Sequence, residues 1–160
     1  MNFEQIFDLI IKHEGETYYQ SKLNNYFYKF GISSMTHGHL NIANLTKDHA
    51  MAIHKQDYWD KHKIESLPPI LRLMVYEVGI IFGFPWAFKR LSFSFPPNIQ
   101  VFAEETLTPD LLKNILEVDS SDLLSSFTIH VIYSMQRYYS VSFVWVLIPR
   151  LIENLVKSVR

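Results

Sequence analysis

From Ile70 to Phe82 the chain reads ILRLMVYEVGIIF, a run of helical length that is apolar on nearly every side. A helix that is hydrophobic all round must be surrounded by other parts of the chain or by lipid. The continuation of this run, VGIIFGFPWAF (78–88), ends at Lys89 and Arg90, and the other strongly apolar stretch, YYSVSFVWVLIP (138–149), lies between Arg137 and Arg150. Both fall short of the ~20 residues that a bilayer-spanning helix needs. The sequence therefore predicts a buried central helix and no transmembrane span. At 160 residues, 48% of them apolar, one domain over residues 1–160 with a substantial core is expected.

The elements around that helix follow from periodicity and caps. Phe3, Ile6, Phe7, Ile10 and Ile11 recur at helical spacing and put one apolar stripe on a first helix that Gly15 stops. Residues 17–34, TYYQSKLNNYFYKFGISS, are rich in Tyr, Phe and Asn and predict a small hairpin or an irregular excursion. Thr46 is placed to cap a second helix that carries Ala50, Ile53, Tyr58 and Trp59 on its buried side. Pro68 and Pro69 precede the central helix, and SFSFPPN (92–98) reads as a loop. Thr108 followed by Pro109 starts a helix to about Glu117, and a helical segment from Ser121 to Lys157 is broken at Pro149. The fold class is mainly α.

Composition removes several functions. Lys and Arg number 15 against 16 Asp and Glu, so there is no basic field of the kind that holds a nucleic-acid backbone. Without cysteine there is neither a disulfide framework nor a thiolate nucleophile. The first residues, MNFEQIFDLII, carry acids where a signal peptide carries positive charge, so the expectation is a chain made in the cytoplasm without a signal of its own. Aromatics reach 15%, enough for a dense core or for an exposed aromatic face that a partner protein covers.

One residue breaks a local rule. Glu14 ends the first helix, where the helix dipole disfavours an anion and Lys or Arg would be better placed. Its setting forms part of an ordered series: His13-Glu14-Gly15, then Phe30-Gly31-Ile32-Ser33, then LTKDHAMAIHKQDYWDKHKIESLP, then Val75-Tyr76-Glu77 through Gly83 and Ala87 to Leu91, and finally Phe143 through Arg150-Leu151. In order and spacing this series resembles the glycoside hydrolase family 108 muramidases, with their His-Glu-Gly-Gly and Tyr-Gly-Ile-Thr segments, a helix ending in Tyr-Trp, and a C-terminal Phe-x-x-Gly-Trp-x-x-Arg-Val signature.

The resemblance implies a lysozyme-like helical fold, no cofactor, and cleavage of peptidoglycan glycan strands between N-acetylmuramic acid and N-acetylglucosamine. Glu14 would be the catalytic acid, with Tyr28, Tyr58, Tyr76 and Glu77 as substrate-binding residues. A glycosidic oxygen leaves only with a proton, supplied by a carboxylic acid held in a partly buried site. The implied place of action is the bacterial cell wall, in phage lysis or penetration, in wall passage of a secreted protein, or within a phage particle.

The departures from the family pattern matter equally. Glu16 replaces the second glycine, Tyr28 a threonine, Glu77 an aspartate and Ile81 an asparagine, while Val146-Leu147 stand for Gly-Trp. Polar or small cleft residues give way to apolar or bulky ones. A catalytically degenerate relative, acting as a structural or glycan-binding component, is the second class of function the sequence supports. Loss of positioning groups also predicts weak or absent lysis by the isolated protein, and an aromatic-rich surface near 82–103 or 138–148 for a protein partner. Read without the resemblance, Glu14 is a solvated terminal acid, Glu16 another, and Tyr58, Trp59 and Trp86 are core. His37 and His39 resemble half of a metal site, but His49 and His54 are five apart rather than four and no acid cluster completes a ligand set, so no metal is expected.

Overall fold

The computed structural model describes the chain except residues 23, 139–147, 154, 155 and 158–160. It is mainly α, with a small antiparallel sheet after the first helix, which is the lysozyme-like class the sequence predicts. The chain divides into two compact units, Asn2–Lys61 and His62–Arg160, the latter including Met1.

The first unit opens with α1, Phe3–Glu14. Asn2 caps it by accepting from the Gln5 N–H while the Gln5 side chain returns to the Asn2 N–H, both at 3.0 Å, a complete capping box. All five residues of the apolar stripe are buried. At about 2 kcal/mol per large side chain, that stripe alone contributes on the order of 10 kcal/mol to holding α1 in place. Gly15 ends the helix at φ +82°, and its N–H donates to Ile11 O at 2.8 Å.

The excursion after α1 is a three-stranded sheet of β1 (Tyr19–Gln20), β2 (Phe27–Lys29) and β3 (Ile32–Ser33), in that order. Tyr19 faces Tyr28 across β1 and β2, and Lys29 faces Ile32 across β2 and β3. The second hairpin thus turns on Phe30-Gly31, and both have positive φ, +54° and +73°. That is the backbone of a type I′ turn, whose twist matches that of the strands it joins. Phenylalanine is a costly choice there. Its side chain is buried, which offsets the cost.

Next comes α2, Lys47–Ile53, capped by Thr46, whose hydroxyl accepts from the His49 N–H at 3.2 Å. From His54 to Asp60 the helix widens into a π-helical stretch. This corrects one sequence expectation. Trp59 and Ala50 are buried as predicted, but Ile53 and Tyr58 are only half-buried, and His54 takes a fully buried place instead. An i→i+5 repeat brings residues five apart, His54 and Trp59, onto the same inner face. There Phe7 meets the His54 ring edge-on at 5.2 Å and Phe3 meets Trp59 at 5.3 Å.

In the second unit the all-apolar run forms α3, Pro69–Phe82, with Pro69 in its first turn. Eight of its residues, from Leu71 to Gly79, are buried. Gly83, at φ +89°, separates α3 from α4, Phe84–Ser92. The sharp reversal needs Gly79, because a Cβ there would lie 2.5 Å from the Phe84 ring. Phe84 also stacks on His62 at 4.0 Å. After a loop come α5, Pro109–Glu117, capped by Thr108 as predicted, and α6, Ser120–Tyr138. Residues 148–153 are helical. Phe143, Val146 and Leu147 lie outside the described residues. Among the described residues no helix is long and apolar enough to cross a membrane.

Candidate active site

Glu14 sits in the last turn of α1, half-buried, with Lys12 and His13 preceding it. What surrounds it follows from the I′ turn. The Phe30 N–H donates to Gly15 O at 3.2 Å, which ties the turn to the end of α1. On its other side the Phe30 carbonyl accepts from His54 Nε2 at 2.8 Å. The turn is held from both ends, and Gly31 is pressed between two side chains. A Cβ on Gly31 would fall 3.2 Å from Glu14 Cγ and 3.4 Å from two atoms of the His54 ring. Glycine is required here by its positive φ and by its neighbours alike.

His54 is neutral in this setting. Burial pushes its pKa down to about 4, and the Phe30 carbonyl opposes this only in part. A proton on Nε2 suits the bond to Phe30 O, so the ring acts as a fixed donor that sets the turn's position.

Tyr28 and Tyr58 lie in the same unit as Glu14. The Tyr28 ring stacks on Tyr19 at 5.3 Å, with an angle of 13° between planes, and its hydroxyl accepts from Asn24 Nδ2 at 2.9 Å. The Tyr19 hydroxyl titrates above the usual tyrosine range, through partial burial first and then the negative charge of Glu14. Tyr58 is also raised, chiefly by burial, against a hydrogen bond with Thr36. It joins a polar chain in which Thr36 Oγ1 is 2.9 Å from His37 Nδ1, and His37 Nε2 is 3.1 Å from Asp57 Oδ2. Glu16 is exposed. Tyr76 and Glu77 belong to the second unit; both are fully buried in α3, and Glu77 forms an ion pair with Arg150. Among the described residues no group of three metal-binding side chains is found.

Three participants escaped the sequence reading. Gly31 and His54 pack at the turn beside Glu14, and Tyr19 stands on the same small sheet. The spacing of His54 and Trp59, five apart, was the available signal for the first pair. The pairing of Tyr19 with Tyr28 depends on a strand register that no pattern in the sequence displays.

The mainly α fold, with a short antiparallel sheet after the first helix, is of the lysozyme-like class. The family model of glycosyl hydrolase 108 matches residues 7–83, the segment that contains Glu14, the hairpin, His54 and α3. Over those residues, a little under half of the chain, the sequence is similar to the glycosyl hydrolase 108 family. Among solved structures it is similar to the structure of Brucella abortus SagA, with a TM-score of 0.85 and 17% identity over 98% of this chain and 93% of that one. At this identity the likeness shows the fold. A comparison with curated proteins finds no match.

Proposed function

We propose that the chain is a slow peptidoglycan N-acetylmuramidase with Glu14 as its catalytic acid. The observation that supports this best is the fit of Glu14 against Gly31, where a single Cβ would intrude on the acid's own Cγ. Such a fit limits where the Glu14 side chain can lie, and proton donation to a glycosidic oxygen is productive only from a near-attack position. In this reading Glu14 protonates the leaving oxygen as the anomeric C–O bond breaks, and a water molecule completes hydrolysis. Tyr28 and Tyr58 contribute aromatic wall. Tyr76 and Glu77, being buried, act by holding α3 rather than by touching sugar. The site of action is the bacterial cell wall, reached in phage lysis or penetration or in wall passage of a secreted protein.

A second reading, a glycan-binding relative without catalysis and suited to a phage particle, is favoured by one observation. Glu77, which stands where the family carries an aspartate, is fully buried and ion-paired with Arg150. For either reading, exposed Phe93 and Phe102 offer apolar surface within 82–103 that a protein partner would cover. The two are separated by incubating wild type and Glu14→Gln with purified peptidoglycan and measuring new reducing ends. The substitution is nearly isosteric and cannot donate a carboxylic proton. Release by the wild type and not by the variant supports the enzyme; no release by either supports the binding relative.

A further inference from the structure

We infer that Tyr19 is a sugar-stacking residue: its outward ring face, backed by Tyr28 on the small sheet whose turn adjoins Glu14, receives the apolar face of an N-acetylated sugar of the peptidoglycan strand. This deepens the proposed function by assigning a substrate contact, and it rests on that reading for the identity of the sugar.

The sheet's geometry carries the argument. β1 is an edge strand, so a ring standing on it has a neighbouring strand on one side only. Tyr19 faces Tyr28 in register, and the two rings lie nearly parallel. The inner ring, Tyr28, is half-buried, whereas Tyr19 is 45% exposed. One face of Tyr19 is therefore occupied and braced while the other is open. Side chains alternate across a strand, so Tyr18 stands on the opposite sheet face, stacked on Phe27 at 5.5 Å. Only one of these two edge tyrosines can look toward the acid. Tyr19 shares its sheet face with Tyr28, on the sheet whose Phe30-Gly31 turn is tied to the end of α1, and the negative charge of Glu14 is among the causes, after burial, that raise its hydroxyl pKa.

The chemistry selects a sugar over a purely apolar ligand. A pyranose presents C–H groups on one face and hydroxyls around its rim. It matches a flat ring that carries a hydroxyl, beside an acid and near an amide such as Asn24. A lipid or apolar peptide laid on this face would take the Tyr19 hydroxyl out of water at a cost. The braced ring also loses little rotamer freedom when it is covered, which favours binding. The departure at Tyr28 then has a use: the phenol that replaces a threonine of the family pattern supports the stacking ring.

The test separates contact from catalysis. In a Glu14→Gln background, which cannot donate the proton, binding to insoluble purified peptidoglycan and to a soluble N-acetylglucosamine oligomer is measured for Tyr19, Tyr19→Ala, Tyr19→Trp and Tyr18→Ala. Hydrolysis is measured in parallel with Glu14 intact. Tyr19→Ala is expected to weaken binding by about tenfold, in line with the loss of one aromatic stack. Tyr19→Trp should keep binding within about threefold, and Tyr18→Ala, on the other face, should leave it unchanged. This pattern supports the inference whether or not the wild type hydrolyses glycan, so an inactive protein would remove the enzyme reading alone. Equal binding by Tyr19 and Tyr19→Ala overturns the inference and leaves the enzyme reading intact if hydrolysis persists. Equal losses for Tyr18→Ala and Tyr19→Ala also overturn it, because they report a disturbed hairpin. Absence of binding by every variant overturns the inference as well.

Discussion

Gly31→Ala is the smallest change that reaches the proposed acid. The residue sits at φ +73°, where an L side chain costs about 1–2 kcal/mol. Its new methyl would meet Glu14 Cγ at 3.2 Å and the His54 ring at 3.4 Å. The His54 ring is fully buried and bonded to Phe30 O at 2.8 Å, so Glu14 is the side chain that must give way, by a few tenths of an ångström. Overpacking of this kind costs about 1–3 kcal/mol, while the stiffer unfolded chain of an alanine variant returns about 0.5–1 kcal/mol. The net loss is about 2 kcal/mol, which lowers the melting temperature of a chain this size by roughly 4–8 °C. Thermal unfolding followed by circular dichroism measures it. Gly31→Asn, which tolerates the left-handed backbone better but carries the same Cβ, should retain most of the loss. If Gly31→Ala melts within about 1 °C of the wild type and keeps any glycan hydrolysis, the fit between the turn and Glu14 is not what the structure indicates.

Two further perturbations test the surroundings of the site and the core of the second unit. His54 has a folded-state pKa of about 4 against 6.5 when unfolded, so the unfolded chain binds the extra proton first; stability is full above pH 6.5 and falls as pH drops toward 4, by about 3 kcal/mol in the limit. Urea unfolding at pH 7 and pH 4.5 should show this slope in the wild type and a shallower one in His54→Gln; equal slopes would contradict it. Arg150→Met leaves the Glu77 carboxylate buried without its ion-pair partner, and should cost about 3–5 kcal/mol, with much of it restored by adding Glu77→Gln. A single variant as stable as the wild type would mean that the pair contributes nothing to the second unit.

How much of this was legible in the sequence depended on whether the signal was local. The stripe of α1, the caps at Thr46 and Thr108, and the burial of α3 are written in neighbouring residues, and each is found as read. The π-helical stretch was not, because a helix-period reading assigns Ile53 and Tyr58 to the buried face, and only the packing of His54 and Trp59 reveals the wider turn. The type I′ turn was hidden for a related reason: its first residue is Phe30, where Asn or Asp is the usual mark. Burial of the Phe30 ring and the bond from His54 make that choice stable, and both partners are distant in sequence. Glu14 stood out because it violates a rule on a helix end; Gly31 and His54, which pack beside it, are distant in sequence and show no local sign of that contact.

The central claim is that Glu14 acts as the acid that releases glycan, and it is tested most directly by mass spectrometry of the soluble products from purified peptidoglycan after prolonged incubation. The wild type is expected to yield, slowly, fragments ending in a reducing N-acetylmuramic acid, and Glu14→Gln, with an unchanged circular dichroism spectrum and melting temperature, to lower their yield by at least about a hundredfold. Equal yields from the two proteins, or fragments that end in N-acetylglucosamine, would contradict it.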